Sequence, residues 1–118
     1  MQMFAGTLTA TTNGALFDDG RGWTLALPGV HAASSGQSVL LGLRPEHIAL
    51  TADGRGEAAT VEAVEPTGPE DNVVLSIRGQ KAIARFPTAA VTEGQTISVA
   101  LDLDKASLFD AASGLRLN

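Results

Sequence analysis

Asn72-Val73-Val74-Leu75-Ser76-Ile77-Arg78, then Gly79-Gln80, then Lys81-Ala82-Ile83-Ala84-Arg85-Phe86: two alternating segments meet at a glycine. Alternation of apolar and polar residues marks a half-buried strand, because successive side chains leave a strand on opposite faces. With Gly79 and Gln80 at the centre of a type II′ turn, glycine first, Val73 is expected opposite Phe86, Leu75 opposite Ala84 and Ile77 opposite Ala82. One face is then wholly apolar, and the other sets Val74, Ser76 and Arg78 against Arg85, Ile83 and Lys81. A slip of one residue would bury Arg78 and Arg85, so Leu75 and Ile77 are expected in a core and Ser76 and Arg78 outside it.

The same period of two recurs on either side. Trp23, Leu25 and Leu27 share a face against Thr24 and Ala26, and Ile97, Val99, Leu101 and Leu103 oppose Ser98, Ala100 and Asp102. Asn13-Gly14 and Asp19-Gly20 are both hairpin turn pairs, and the local sequence does not choose between them. No helical stripe is sustained, although residues 88–92 and 104–107 are each suited to a single turn. Many short strands with frequent turns argue for an all-β chain closed as an antiparallel barrel or sandwich.

Half the chain echoes the other. Gly36-Gln37-Ser38-Val39-Leu40-Leu41-Gly42-Leu43 aligns with Gly94-Gln95-Thr96-Ile97-Ser98-Val99-Ala100-Leu101 at an offset of 94 − 36 = 58, and Glu46, His47 and Leu50 align with Asp104, Lys105 and Leu108. A proline, Pro28 or Pro87, closes the strand before each Gly-Gln pair. The pattern reads as an internal duplication of a β unit within one domain, residues 1–118, with repeats at about 6–50 and 56–110. The second copy is longer between its glycines, and the extra residues are expected in the turn at residues 66–71.

At 118 residues the chain suits one domain with a core of its own. It has no cysteine, which excludes disulfides and thiolate metal sites. A net charge of −5 repels a nucleic-acid backbone. With no tyrosine, one tryptophan and four phenylalanines, stacking platforms for single strands are few as well, so no nucleic-acid partner is expected. No apolar run reaches the ~18 residues of a membrane span, so direct membrane insertion is not expected. A Gly-x-x-x-x-Gly-Lys-Ser/Thr loop is also missing from the sequence.

Clusters with chemical potential are sparse. Arg44-Pro45-Glu46-His47 puts a guanidinium, a carboxylate and an imidazole beside a rigid proline, a combination suited to an interdomain contact and equally to a solvated strand end. Glu62, Glu65, Glu70 and Asp71 bracket one strand end. Strand spacing sends Glu62 and Glu65 to opposite faces, no EF-hand order is present, and neither catalysis nor metal binding is expected there. His31 and His47 are too isolated for a zinc site and read as surface or loop residues. Arg78, Lys81 and Arg85 form a basic cluster around the hairpin tip. Trp23 reads as core, with a subunit-contact anchor as its functional alternative. Residues 32–36, Ala-Ala-Ser-Ser-Gly, lack the following helix that a phosphate loop needs.

Gly42-Leu43-Arg44-Pro45-Glu46-His47-Ile48 resembles the "GIRPEHL" signature of the C-terminal regulatory domain in ATP-binding subunits of sugar and glycerol-phosphate ABC importers. Met1-Gln2-Met3-Phe4-Ala5-Gly6 resembles that family's "MNF..G" opening, Val64-Glu65-Pro66-Thr67-Gly68 its "VE..G" turn, and Ser107-Leu108-Phe109-Asp110 its "HLFD" close. The likeness spans nearly the whole chain. It departs at Gln2-Met3, where the family has an Asn-Phe type pair, and at Leu103-Asp104, where a proline often precedes the acid.

The resemblance implies a transport-associated OB-type domain, an OB-like antiparallel β-barrel, non-catalytic by itself. It implies that Arg44, Pro45, Glu46, His47, Glu65 and Gly68 are signature or interdomain-contact positions. No cofactor is expected in this chain, since ATP and Mg would bind the ATPase domain that precedes it in the family and is absent here. The implied partners are that domain, a second copy of the subunit, the permease subunits indirectly, and a regulatory protein. The implied location is the cytoplasm, peripheral at the inner face of the membrane. The rival expectation is a stand-alone oxyanion-binding module of the molybdate type, for which Ser34, Ser35, Ser38 and Arg44 are the candidates.

Overall fold

The computed structural model describes residues 2–28, 30, 36–52 and 54–118. Among the described residues ten strands form: β1 (Gln2–Thr11), β2 (Gly14–Asp18), β3 (Thr24–Pro28), β4 (Gln37–Leu43), β5 (Ile48–Thr51), β6 (Glu57–Pro66), β7 (Glu70–Ile77), β8 (Gln80–Pro87), β9 (Thr96–Leu101) and β10 (Ser107–Asp110). Single 3-10 turns, Pro45–His47 and Leu103–Lys105, lead into β5 and β10. No helix among the described residues is long and apolar enough to cross a membrane.

Contacts divide the chain into a mid-chain unit, Met1–Gln2 with Arg44–Asp102, and a terminal unit, Met3–Leu43 with Leu103–Asn118. The terminal unit's sheet runs β10-β4-β1-β2-β3 and the mid-chain unit's runs β5-β9-β6-β7-β8. If β1 to β4 are matched with β6 to β9, the two orders coincide, but the last strand of each half lies in the other unit's sheet. The offset of 58 is kept by both 3-10 turns and by Gly36 and Gly94, which share a left-handed φ of 83° and 85°. Their N–H groups make matching bonds to Leu8 O at 2.7 Å and Val61 O at 2.8 Å. The longer second half differs from the expectation. The additional residues sit in the hairpin arms, where β7 and β8 have 8 residues each against 5 in β2 and in β3, rather than in the turn at residues 66–71.

In the mid-chain unit the alternating pattern does what it predicts. Val73, Leu75, Ile77, Ala82, Ala84 and Phe86 are buried with Val61 and Val99. The sheet curls until its edge strands β5 and β8 come into contact, which makes an OB-like barrel. In the terminal unit Phe4, Phe17 and Trp23 meet edge to face, with Trp23 ring centroids 5.4 Å from Phe4 and 6.4 Å from Phe17. Gly6 lies opposite this cluster because a Cβ there would stand 2.5 Å from Asp18 O and 2.6 Å from the Phe17 ring. Hairpins form at both candidate turns upstream, but the first centres on Thr12-Asn13 rather than Asn13-Gly14, with Gly14 of β2 paired to Thr11 of β1. Residues 12–13 join β1 to β2, and Asp19 Oδ1 organises the β2–β3 loop by accepting from Arg21 N at 2.8 Å and Trp23 N at 3.0 Å.

Two details differ from the sequence reading. The β7–β8 register is Val73 opposite Ala84, Leu75 opposite Ala82 and Ile77 opposite Gln80, so the turn centres on Arg78-Gly79. Both have positive φ, 49° and 83°, the pattern of a type I′ turn whose twist suits the strands it joins. The shift is two residues, so every side chain keeps its face. In β6 a bulge falls between Val61 and Ala63, so Val64 follows Val61 onto the buried side and strict alternation fails at Glu62. Glu62 and Glu65 are both exposed, and the opposite-face expectation does not hold at the bulge.

Leu75→Ala should cost about 2–5 kcal/mol in urea unfolding, since Leu75 is fully enclosed. Arg78→Asn should instead raise stability by about 0.5–1 kcal/mol, because asparagine adopts the left-handed turn position more readily. The exposed Arg78–Glu57 pair at 3.6 Å offsets little of that gain.

Candidate functional site

Residues 44–47 form a rigid corner in the mid-chain unit. Pro45 disfavours a helical conformation for the residue before it, and Arg44 is extended at φ −86°, ψ 148°. His47 N donates to Arg44 O at 2.9 Å, and Ile48 N donates to Pro45 O. His47 O accepts from Asp102 N at 2.9 Å, which fixes the corner to the end of β9. The turn packs on β8. Arg44 and Glu46 are exposed, while Pro45 and His47 are half-buried. His47 Nδ1 is enclosed and has no hydrogen-bond partner among the described residues.

Glu46 is the electrostatic centre of the corner. Its own backbone N–H holds its carboxyl below the usual carboxylate range, partial desolvation opposes this, and Arg85, His47 and Arg44 push further down. A carboxylate that feels two guanidinium groups, on a turn held by backbone bonds, is suited to polar contact. The corner contains no nucleophile paired with a base, and no group of three or more metal-ligating residues occurs among the described residues.

The other signature positions lie elsewhere in the unit. Glu65 is exposed on β6 opposite Asn72. Gly68, at φ 121°, sits in the β6–β7 turn, where Thr67 donates from N and Oγ1 to Glu70 O. Gly68 O accepts from Thr88 Oγ1 at 3.0 Å, which ties this turn to the loop after β8. Among the described residues no hydrogen bond or ion pair joins Glu65 or Gly68 to residues 44–47.

Sequence reasoning missed two anchors. Asp71 is 3 % exposed, and its Oδ2 accepts from Ala89 N at 3.0 Å, pinning a turn in which Ala89 holds φ 62°. Gln2 uses its side-chain amide on the outer edge of β8, with Nε2 donating to Ile83 O at 2.8 Å and Oε1 accepting from Ile83 N at 2.7 Å. The only trace of Asp71 in the sequence is an acid at a strand start, and Gln2 carries none.

Trp23 is 1 % exposed and belongs to the aromatic core of the terminal unit, the first of the two readings of it. Arg78, Lys81 and Arg85 do not converge: Arg78 faces Glu57, Lys81 lies 4.0 Å from Glu62, and Arg85 acts on Glu46. Ser38 is exposed near the start of β4, and Arg44 is exposed just after its end. Met1, His31, Ser34 and Ser35 lie outside the described residues. An open depression of about 400 Å³ in the terminal unit, lined by residues 11–15, Ala26 and Leu27, carries no charged side chain among the described residues.

A pair of five-stranded antiparallel sheets, one of them curled with its edge strands in contact, defines a class, the OB-type β-barrel module. The chain belongs to the TOBE domain family, which matches residues 41–109. It is 33% identical over 101 residues to the sn-glycerol-3-phosphate import ATP-binding protein UgpC of Chromobacterium violaceum, covering 83% of this chain and 27% of that protein. The UgpC of Pectobacterium atrosepticum is 32% identical over 119 residues, covering 99% and 33%. The chain thus spans about a third of the length of such relatives. A solved structure of the cytoplasmic molybdate-binding protein ModG has the same fold at a TM-score of 0.64 and 16% identity, over 91% of this chain and 94% of that one.

The depressed pKa of Glu46 sets a pH signature. A carboxylate held below its unfolded pKa contributes stability at neutral pH that is lost as pH falls through the folded value. Glu46→Gln removes that dependence. Its unfolding midpoint should lie below that of the parent near pH 7, and the two should converge only as pH falls through the folded value of Glu46.

Proposed function

We propose that this chain is the regulatory domain of the ATP-binding subunit of an ABC importer for carbohydrate or glycerol phosphate, non-catalytic by itself, holding two subunits together between strokes. The observation that carries the reading is the TOBE family match over residues 41–109, together with relatives named as import ATP-binding proteins that are about three times as long. Its partners are the ATPase domain, which supplies the ATP and Mg site, a second copy of the subunit, the permease subunits indirectly, and a regulatory protein. Its place is the cytoplasmic face of the membrane. Arg44, Glu46 and His47, on a turn that cannot flex without breaking the Asp102 bond, are the polar contacts toward the neighbouring domain, with Glu65 and Gly68 as further contact positions.

Two copies tethered to paired motors avoid most of the roughly 4–15 kcal/mol that free association costs in lost translation and rotation, so a weak contact suffices to keep them together. Deleting residues equivalent to this chain from an intact importer subunit should release the subunits in the absence of nucleotide and alter transport or its regulation. Truncated motors that stay paired and transport unchanged would overturn the reading.

The fold shared with ModG favours one alternative, an oxyanion-binding module. Of its candidate donors, Ser38 lies near the start of β4 and Arg44 just after its end. Calorimetric titration of the chain with molybdate and with Mg-ATP should give no saturable micromolar binding for either. Molybdate binding would promote the alternative, and ATP binding would end the regulatory reading.

A further inference from the structure

The outer face of β6, β7 and β8 carries a charge pattern of its own, which shares Arg85 with the Glu46 corner. Its cross-strand rows are Glu65–Asn72–Arg85, Ala63–Val74–Ile83 and Thr60–Ser76–Lys81, and the bulge residue Glu62 reaches to 4.0 Å from Lys81. Within these rows acidic side chains stand on β6, basic ones on β8, and the strand between them is neutral; Glu70, exposed at the start of β7 opposite Pro87, lies one row beyond. The middle row is apolar, with Ala63 exposed, Val74 half-buried and Ile83 41% exposed.

We propose that this face is a self-complementary contact for a second copy of the chain, related by a two-fold axis running along β7 over Val74. The proposal rests on the dimerising reading above and adds the surface. An axis along β7 lays β6 of one copy over β8 of the other. Glu65 then meets the second copy's Arg85, Glu62 meets its Lys81, Ala63 meets its Ile83, and Val74 meets Val74. An axis at right angles would set Glu65 against Glu62 and Arg85 against Lys81, like charges on both flanking strands, whereas the axis along β7 sets only Glu70 against itself at the margin of the face, so the sign pattern favours the first arrangement. The edge of β8 is a poorer route in, because the Gln2 amide occupies both backbone groups of Ile83. Three short rows bury less than the ~800 Å² per partner of a stable interface, so the contact is weak and salt-sensitive.

The chain has no cysteine, so Val74→Cys places one thiol beside the axis. Under mild oxidation this variant should form a disulfide-linked dimer about tenfold faster than Ala100→Cys on the exposed side of β9, because paired copies raise the local thiol concentration. High salt should slow the linkage. In the Val74→Cys background, Glu62→Lys or Lys81→Glu alone should slow it too, and the double reversal should restore it, with urea midpoints checking that each variant folds. Linkage no faster than at Ala100→Cys, or indifferent to the reversals, overturns the face. If sedimentation then still shows association, only the face has failed and the dimerising reading stands. Truncated subunits that remain paired defeat that reading whatever the cross-links show.

Discussion

Two tight turns, Pro45–His47 and Leu103–Lys105, are the constraint on which the rest of the structure depends, because each hands an edge strand from one unit to the other. β5 takes its ladder partners from β9, and β10 takes its own from β4. A sheet that lost its exchanged strand would leave a row of backbone donors and acceptors without partners and uncover the core residues Ile48 or Leu108. A proline that fixes φ at the first of these corners therefore does more than end a strand. It also holds Arg44 extended as the chain turns from β4 into β5.

The faces of the strands were legible because alternation has a period of two, and an error of two residues in the hairpin register leaves every side chain on its own side. Leu75 and Ile77 are buried under either pairing. The turn itself was less legible: Gly79 suits the first position of one turn type and the second of another, and the choice forces Arg78 into a conformation that arginine does not favour. The bulge at Glu62 has no local mark either, since nothing in Thr60-Val61-Glu62-Ala63 distinguishes a bulged from a regular strand. The 58-residue echo was plain in the residues, but the exchange of β5 and β10 was not. Ile48-Ala49-Leu50 has the same pattern whichever neighbour it pairs with, and topology is a property of the whole chain.

The candidate site shows the same division. Residues 44–47 stand out in the sequence by their order, which carries the family resemblance. What the corner does electrostatically depends on Arg85, some forty residues away, which reaches Glu46 because the sheet curls until β8 meets the turn. Contacts that depend on closure cannot be read from a window of sequence. The Asp71 and Gln2 anchors belong to this group: each is an ordinary polar residue until the fold brings an unpaired backbone group to it.

The crossing of the chain also orders events during synthesis. A ribosome releases residues from the N-terminus, so β1 to β4 emerge first, yet their sheet lacks β10 until residues 107–110 follow. All five strands of the mid-chain sheet, β5 to β9, are out by residue 101. The half made first is thus completed last, and until then the exposed side of β4, with Val39 and Leu41, is a surface that the nascent chain must keep from other partners.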